Sequence, residues 1–148
     1  MKNYVFSLEK IREYKKQILN KEKNTLLGLK IEKSGLEQQK ERLFDDLKTI
    51  TDNHNADMAR GASVMQLKLF QFSRESIARE QSEIDKQMLF LDTYIERQRK
   101  VVMKLSQELT SFDKLEEKQY SEYLRKNAKE AETLIEEFVS FKSASEGV

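Results

Sequence analysis

The chain has 148 residues with no proline, no cysteine, four glycines and 36% charged residues, whereas average usage would supply about seven prolines and ten glycines. Turns are therefore few, disulfide and thiolate chemistry is excluded, and long helices with solvated faces fit best. Lys and Arg number 27 against 26 Asp and Glu, a formal charge of +1, so no overall field draws the chain to nucleic acid or to an anionic membrane. The start meets Glu9 before a signal-peptide core could form, and nothing approaches the roughly 18 apolar residues of a membrane span. The expectation is a soluble, cytoplasmic protein.

The first element, a helix over about 4–57, carries Leu8, Ile11, Ile18, Leu29, Leu36, Leu43 and Ile50 on a four-three template. Lys15, Glu22, Thr25, Glu32, Gln39 and Asp46 interrupt that template, and Leu19, Leu26 and Leu47 lie one position further round. A straight helix drifts by roughly 20° per heptad, which widens such a stripe. Gly28 and Gly35 cost about 1 kcal/mol each against alanine without ending a packed helix.

A turn is expected at about 58–63, where Asn55 and Gly61 favour a left-handed stop and Ser63 with Gln66 has capping-box spacing. So short a connection makes the two helices antiparallel neighbours. A turn centred near Arg60 pairs residues whose numbers sum to about 120. Leu43 then meets Ile77, Leu36 meets Ile84, Leu29 meets Leu91, Ile18 meets Val102, Ile11 meets Leu109 and Leu8 meets Phe112. Gln39 faces Gln81, and Glu22 lies beside Gln98.

The second helix, about 64–141, has the clearer seam. From Ile77 the positions Gln81, Ile84, Met88, Leu91, Ile95, Gln98, Val102, Leu105, Leu109 and Phe112 alternate four and three, and nine of these eleven are apolar where a 38% composition gives about four. The fold class is all-α: a two-helix antiparallel coiled coil, a long helical hairpin whose C-terminal helix is longer. At this register position 1 falls opposite about position 119, leaving an overhang with no internal partner. Tyr120, Leu124, Ala128, Ala131, Ile135 and Phe138 make an apolar stripe on it, flanked by Leu134, Val139 and Phe141. Such a stripe wants a partner.

Catalytic chemistry finds no support, so the chain is read as a non-enzyme without metal or cofactor. His54 sits in the expected turn region as a solvated residue, and the pairs Glu116–Glu117 and Glu136–Glu137 diverge by about 100° on a helix. Phosphate loops, nucleophile elbows and zinc motifs do not occur. The cluster Val64, Met65, Leu67, Leu69, Phe70 and Phe72 is denser than one face can hide; Phe70 belongs opposite Ile50, and Leu67 and Phe72 are candidates for binding protein. Residues up to Lys30 carry eight bases and three acids, and those from Glu130 onward five acids and one lysine. At the expected register these blocks do not face each other and are displayed.

Phe6-Ser-Leu8-Glu-Lys-Ile11, Asn55-Ala-Asp57-Met58-Ala-Arg-Gly61, Lys114-Leu115-Glu116-Glu117-Lys118 and Glu136-Glu137-Phe138 together resemble the FliJ family of the bacterial flagellar type III export apparatus, over nearly the whole chain. The resemblance implies an antiparallel coiled coil similar to the central stalk of rotary ATPases. Its implied partners are the export ATPase ring, the cytoplasmic domain of the membrane export gate, and export chaperones. It places the protein in the cytoplasm, peripheral to the inner-membrane export apparatus, without direct membrane insertion or nucleic-acid binding, and monomeric when alone. The ATPase-facing residues expected are Tyr120, Leu124, Leu134, Ile135, Phe138 and Phe141, with Lys10, Arg12, Lys15 and Lys16 and the acids Glu132, Glu136 and Glu137 steering the approach. The gate-facing set implied is Gln39, Leu43, Ile50, Phe72 and Ile77, with Leu67 from the turn cluster. The alternatives are the equivalent stalk of a virulence injectisome, or a structural scaffold that dimerises through the overhang.

Overall fold

The computed structural model describes residues 3–146. It contains two helices, α1 (Glu9–Arg60) and α2 (Val64–Glu146), packed against each other, with no strand among the described residues. The fold is the all-α hairpin, and its second helix is the longer. No helix of the described residues is long and apolar enough to cross a membrane.

The connection is shorter than expected. Helix α1 runs on through Met58 to Arg60, leaving only 61–63 outside the helices. Gly61 takes φ of +88° and donates its N–H to the Met58 carbonyl at 3.2 Å, a left-handed stop that side chains resist. Ser63 and Gln66 then cap α2 reciprocally: the Ser63 N–H donates to Gln66 Oε1 at 2.8 Å, and the Gln66 N–H donates to Ser63 Oγ at 3.2 Å. Two otherwise orphaned donors are satisfied by that capping box. Gly28 and Gly35 lie within unbroken helix.

The chain divides into two compact units: the described residues up to Asn20 with those from Met103 onward, and Lys21–Val102. In the Lys21–Val102 unit the core is Leu43, Ile84, Leu91 and Ile95, all buried, backed by half-buried Leu29, Leu36, Leu47 and Met88. Gln98 donates to the Glu22 carbonyl at 2.9 Å and to its carboxylate, the pairing expected from sequence. Lys33 meets Asp92 at 2.7 Å and Lys40 meets Asp85 at 2.6 Å, so the partner's number falls as the helix ascends, the signature of antiparallel packing. These two pairs sum to 125 rather than 120. The turn is centred on Ala62 instead of Arg60, and each residue of displacement moves the sum by two. Gln39 is accordingly exposed, and no bond joins it to half-buried Gln81 among the described residues. His54 lies inside α1 instead of in a turn, half-buried, its ring stacked on Phe70 at 3.8 Å and 4°.

The other unit departs further from the expected seam. Residues 3–8 are not helical; α1 begins at Glu9 rather than near 4, with its first bonds from Glu9 N–H to the Phe6 carbonyl and from Arg12 N–H to the Leu8 carbonyl. This frees Tyr4 and Phe6 to pack separately against α2. Tyr4 makes an edge contact with Tyr120 at 5.0 Å and a tilted one with Tyr123 at 5.3 Å, and its hydroxyl donates to the Glu116 carbonyl at 3.3 Å. Phe6 is 5% exposed. Ile11, expected opposite Leu109, is instead 47% exposed, while Arg12 beside it is buried. Leu19 and Leu109 complete the apolar core of this unit. The stripe has rotated by one position at this end of α1, and Arg12 enters the seam because acids stand there to receive it.

Candidate partner-binding surface

Arg12 is the polar centre of its unit. Its guanidinium lies 4.9 Å from the centroid of the Phe6 ring and donates to Glu9, Glu116 and Asp113, the last at 3.2 Å. The Glu116 carboxylate holds the guanidinium more firmly protonated than an ordinary arginine, despite the opposing effect of burial. Burial, followed by the Glu116 charge, raises the Tyr4 phenol above its usual range. Arg12 therefore joins the packing and is withdrawn from the docking face for which the sequence suggested it.

Its neighbours share the correction in part. Lys15 is bound to Glu108 and lies 6.0 Å from the Phe112 ring. That hydrogen bond drives the Glu108 carboxyl below the ordinary glutamate range. Lys16 pairs with Glu13 at 3.2 Å at the surface, and Lys10 is exposed. Two bases of the N-terminal block are thus neutralised by acids of α2, and of the four assigned to the docking face Lys10 and Lys16 remain exposed.

The acidic C-terminal block is exposed as expected, with Glu132, Glu136 and Glu137 in solvent. The apolar stripe is open too: Ile135 is 64% exposed, Phe138 66%, and Leu124, Leu134, Val139 and Phe141 are exposed with them. Tyr120 belongs to the same open stripe at 46% exposed, although Tyr4 packs on its edge. The uncovered stripe therefore starts at Tyr120, where the sequence suggests.

The gate-facing set divides by burial. Gln39, Leu67 and Phe72 are exposed, Ile50 and Ile77 are half-buried, and Leu43 is in the core. Leu43 is thus removed from direct contact, since its side chain packs inside the Lys21–Val102 unit. Ile50 instead lines a shallow groove with His54, Asp57, Leu69 and Phe70.

Sequence reasoning passed over a second groove in that unit, where Phe90 and Tyr94 of α2 stand beside Leu29, Glu32 and Leu36 of α1. Leu89 and Phe90 are both exposed, and Arg97 lies 5.8 Å from the Tyr94 ring. The signal was the run Leu89-Phe90-Leu91, since a helix turning about 100° per residue cannot bury three successive side chains in one seam. Lys33, held by Asp92, is more firmly protonated than usual.

Comparison with protein-family models, with curated proteins and with solved structures finds no match.

Proposed function

We propose that the chain is a helical stalk and adaptor of a bacterial type III protein export apparatus, a member of the FliJ group, and carries out no catalysis of its own. The supporting observation is the uncovered apolar stripe from Tyr120 to Phe141 on a helix bordered by acids. A large apolar side chain left in water forgoes roughly 1.5–3 kcal/mol of burial, which a bound partner returns. In this reading the export ATPase covers Leu124, Leu134, Ile135, Phe138 and Phe141, and exposed Lys10 and Lys16 with Glu132, Glu136 and Glu137 steer the approach in a salt-dependent way.

The export gate would be met by the exposed members of its set, Gln39, Leu67 and Phe72, with Ile50 and Ile77 supporting them from partly covered positions. Export chaperones are the third partner class. The working place is the cytoplasmic face of the inner membrane, held there through the gate and not by insertion.

Cross-linked co-purification from cells tests the reading. The tagged chain should bring down a subunit identified as a type III export ATPase, and Ile135→Asp with Phe138→Asp should lose it while retaining helicity. Recovery of that ATPase at wild-type yield by the doubly substituted chain, or its absence from the wild-type complex, would overturn the assignment.

A further inference from the structure

The distal part of α2 reverses its charge near its middle. Arg125, Lys126 and Lys129 precede the Lys129–Glu130 peptide, with the acid Glu122 ahead of them, and Glu130, Glu132, Glu136 and Glu137 follow it. All eight are exposed, and none makes an ion pair with another described residue. The apolar line between them runs Leu124, Ala128, Ala131, Ile135 and Phe138, spaced four, three, four and three. It is small at the middle and large towards both ends.

From this pattern we propose that residues 120–141 pair with the same residues of a second copy of this chain, antiparallel, about a two-fold axis beside the Lys129–Glu130 peptide. Leu124 of each copy then packs on Ile135 of the other, and Ala128 on Ala131, so the helices approach closely at the centre and interlock large side chains outside it. Arg125 stands beside Glu132 on the rim, twice by symmetry, and Tyr120 comes near Phe141. The interface is isologous and closes on itself, as a two-fold dimer requires. Its length is about 33 Å at 1.5 Å per residue.

Charge complementarity selects both the occupant and the direction. In an antiparallel pair the flanking rim positions face their own kind, which brings Arg125 beside Glu132 of the other copy twice. A parallel pair would instead set Arg125 against Tyr120 and Glu132 against Asn127, leaving both charges without a partner. This replaces the monomer expected of the chain alone, and it stands independently of the export reading, because it needs only the chain itself. Where an ATPase takes the same stripe, dimer and complex exclude each other.

Sedimentation equilibrium of the full chain from about 1 µM to about 1 mM, a span covering weak and moderate affinities, should show a reversible monomer–dimer transition. Arg125→Glu and Glu132→Arg should each weaken the dimer about tenfold, since two symmetric attractions become repulsions. The two substitutions in one chain should restore it. Circular dichroism checks that helicity is unchanged, which exposed rim positions allow. A mixture of Ala128→Cys and Ala131→Cys chains should cross-link to each other faster than Ile135→Cys chains cross-link among themselves. A chain that stays monomeric throughout, a double substitution no tighter than either single one, or faster self-linking at position 135 would overturn the proposal. An ATPase that still binds a strictly monomeric chain would uphold the export reading while removing this one.

Discussion

Arg12 holds its guanidinium 4.9 Å from the centroid of the Phe6 ring, an arginine and a phenylalanine closing the seam together at a point where sequence periodicity puts Ile11. The cation stands over the ring, and its two terminal nitrogens are taken by the carboxylates of Glu9 and Glu116. A planar fork with five donors suits that arrangement and an ammonium does not.

Phe6→Ala should therefore destabilise the chain by about 3–5 kcal/mol, the usual cost of emptying a buried aromatic site, as read from denaturant midpoints. Arg12→Lys should also lower the midpoint even though the charge is kept, with Arg12→Ala lowering it further. A lysine variant as stable as wild type would show that charge alone matters there.

Leu89 and Leu91 offer an internal comparison, identical side chains two positions apart that are 71% and 6% exposed. Leu91→Ala should cost about 2–4 kcal/mol and Leu89→Ala no more than about 0.5. Chemical denaturation of the two variants side by side checks this, and equal midpoints would contradict the observed seam.

The clear part of that seam was legible because Ile84, Leu91, Ile95 and Leu109 follow a four-three pattern that only one helix face can satisfy, and all four are buried. The start of α1 was not. Whether Ile11 or Arg12 turns inward depends on Glu116 and Asp113, about a hundred positions away in sequence, and no local period carries that information. The non-helical path of residues 3–8 escaped for a related reason: Tyr4 leaves the helix for a site built by Tyr120 and Tyr123. The register error had a smaller origin. Several residues between Asn53 and Ser63 could have ended α1, and the choice of Gly61 moved the turn by about two positions. On the candidate surface, the exposure of Phe138 and Ile135 was readable from the length of α2 beyond its partner, whereas the withdrawal of Arg12 depended on the N-terminal segment.

Gly61 and Ser63 test the turn chemistry. Gly61→Ala places a side chain at φ of +88° and should cost roughly 1–2 kcal/mol, although open space surrounds the site. Ser63→Ala removes one half of the capping box and should cost about 1 kcal/mol. Both are measurable as shifts in the thermal midpoint, and a stabilising alanine at Gly61 would rule out the left-handed stop.

Glu108 supplies the pH dependence. Its folded carboxyl titrates below the ordinary glutamate range because Lys15 binds the ionised form, so the native state takes up this proton less readily than the unfolded chain. The pair therefore stabilises the fold at neutral pH, and that contribution fades as pH falls through the ordinary glutamate range and then through the lowered folded value. Side-chain NMR titration of Glu108 should give a lower midpoint in the wild type than in Lys15→Gln, and coincident midpoints would dissolve the pair as a stabilising contact.

The uncovered stripe beyond Leu124 carries the functional account, so removing it is the most direct measurement. A chain ending at Leu124 retains Tyr4 on Tyr120, the Arg12 cluster and both helices up to that point. At low chain concentration its thermal transition should match that of the full chain within a few degrees, corresponding to about 1 kcal/mol or less. Added to purified export ATPase, the full chain should stimulate ATP hydrolysis, and the shortened chain should leave it at the basal rate. Full stimulation by the shortened chain would contradict the account and shift the ATPase contact to the exposed cluster around Leu67 and Phe72.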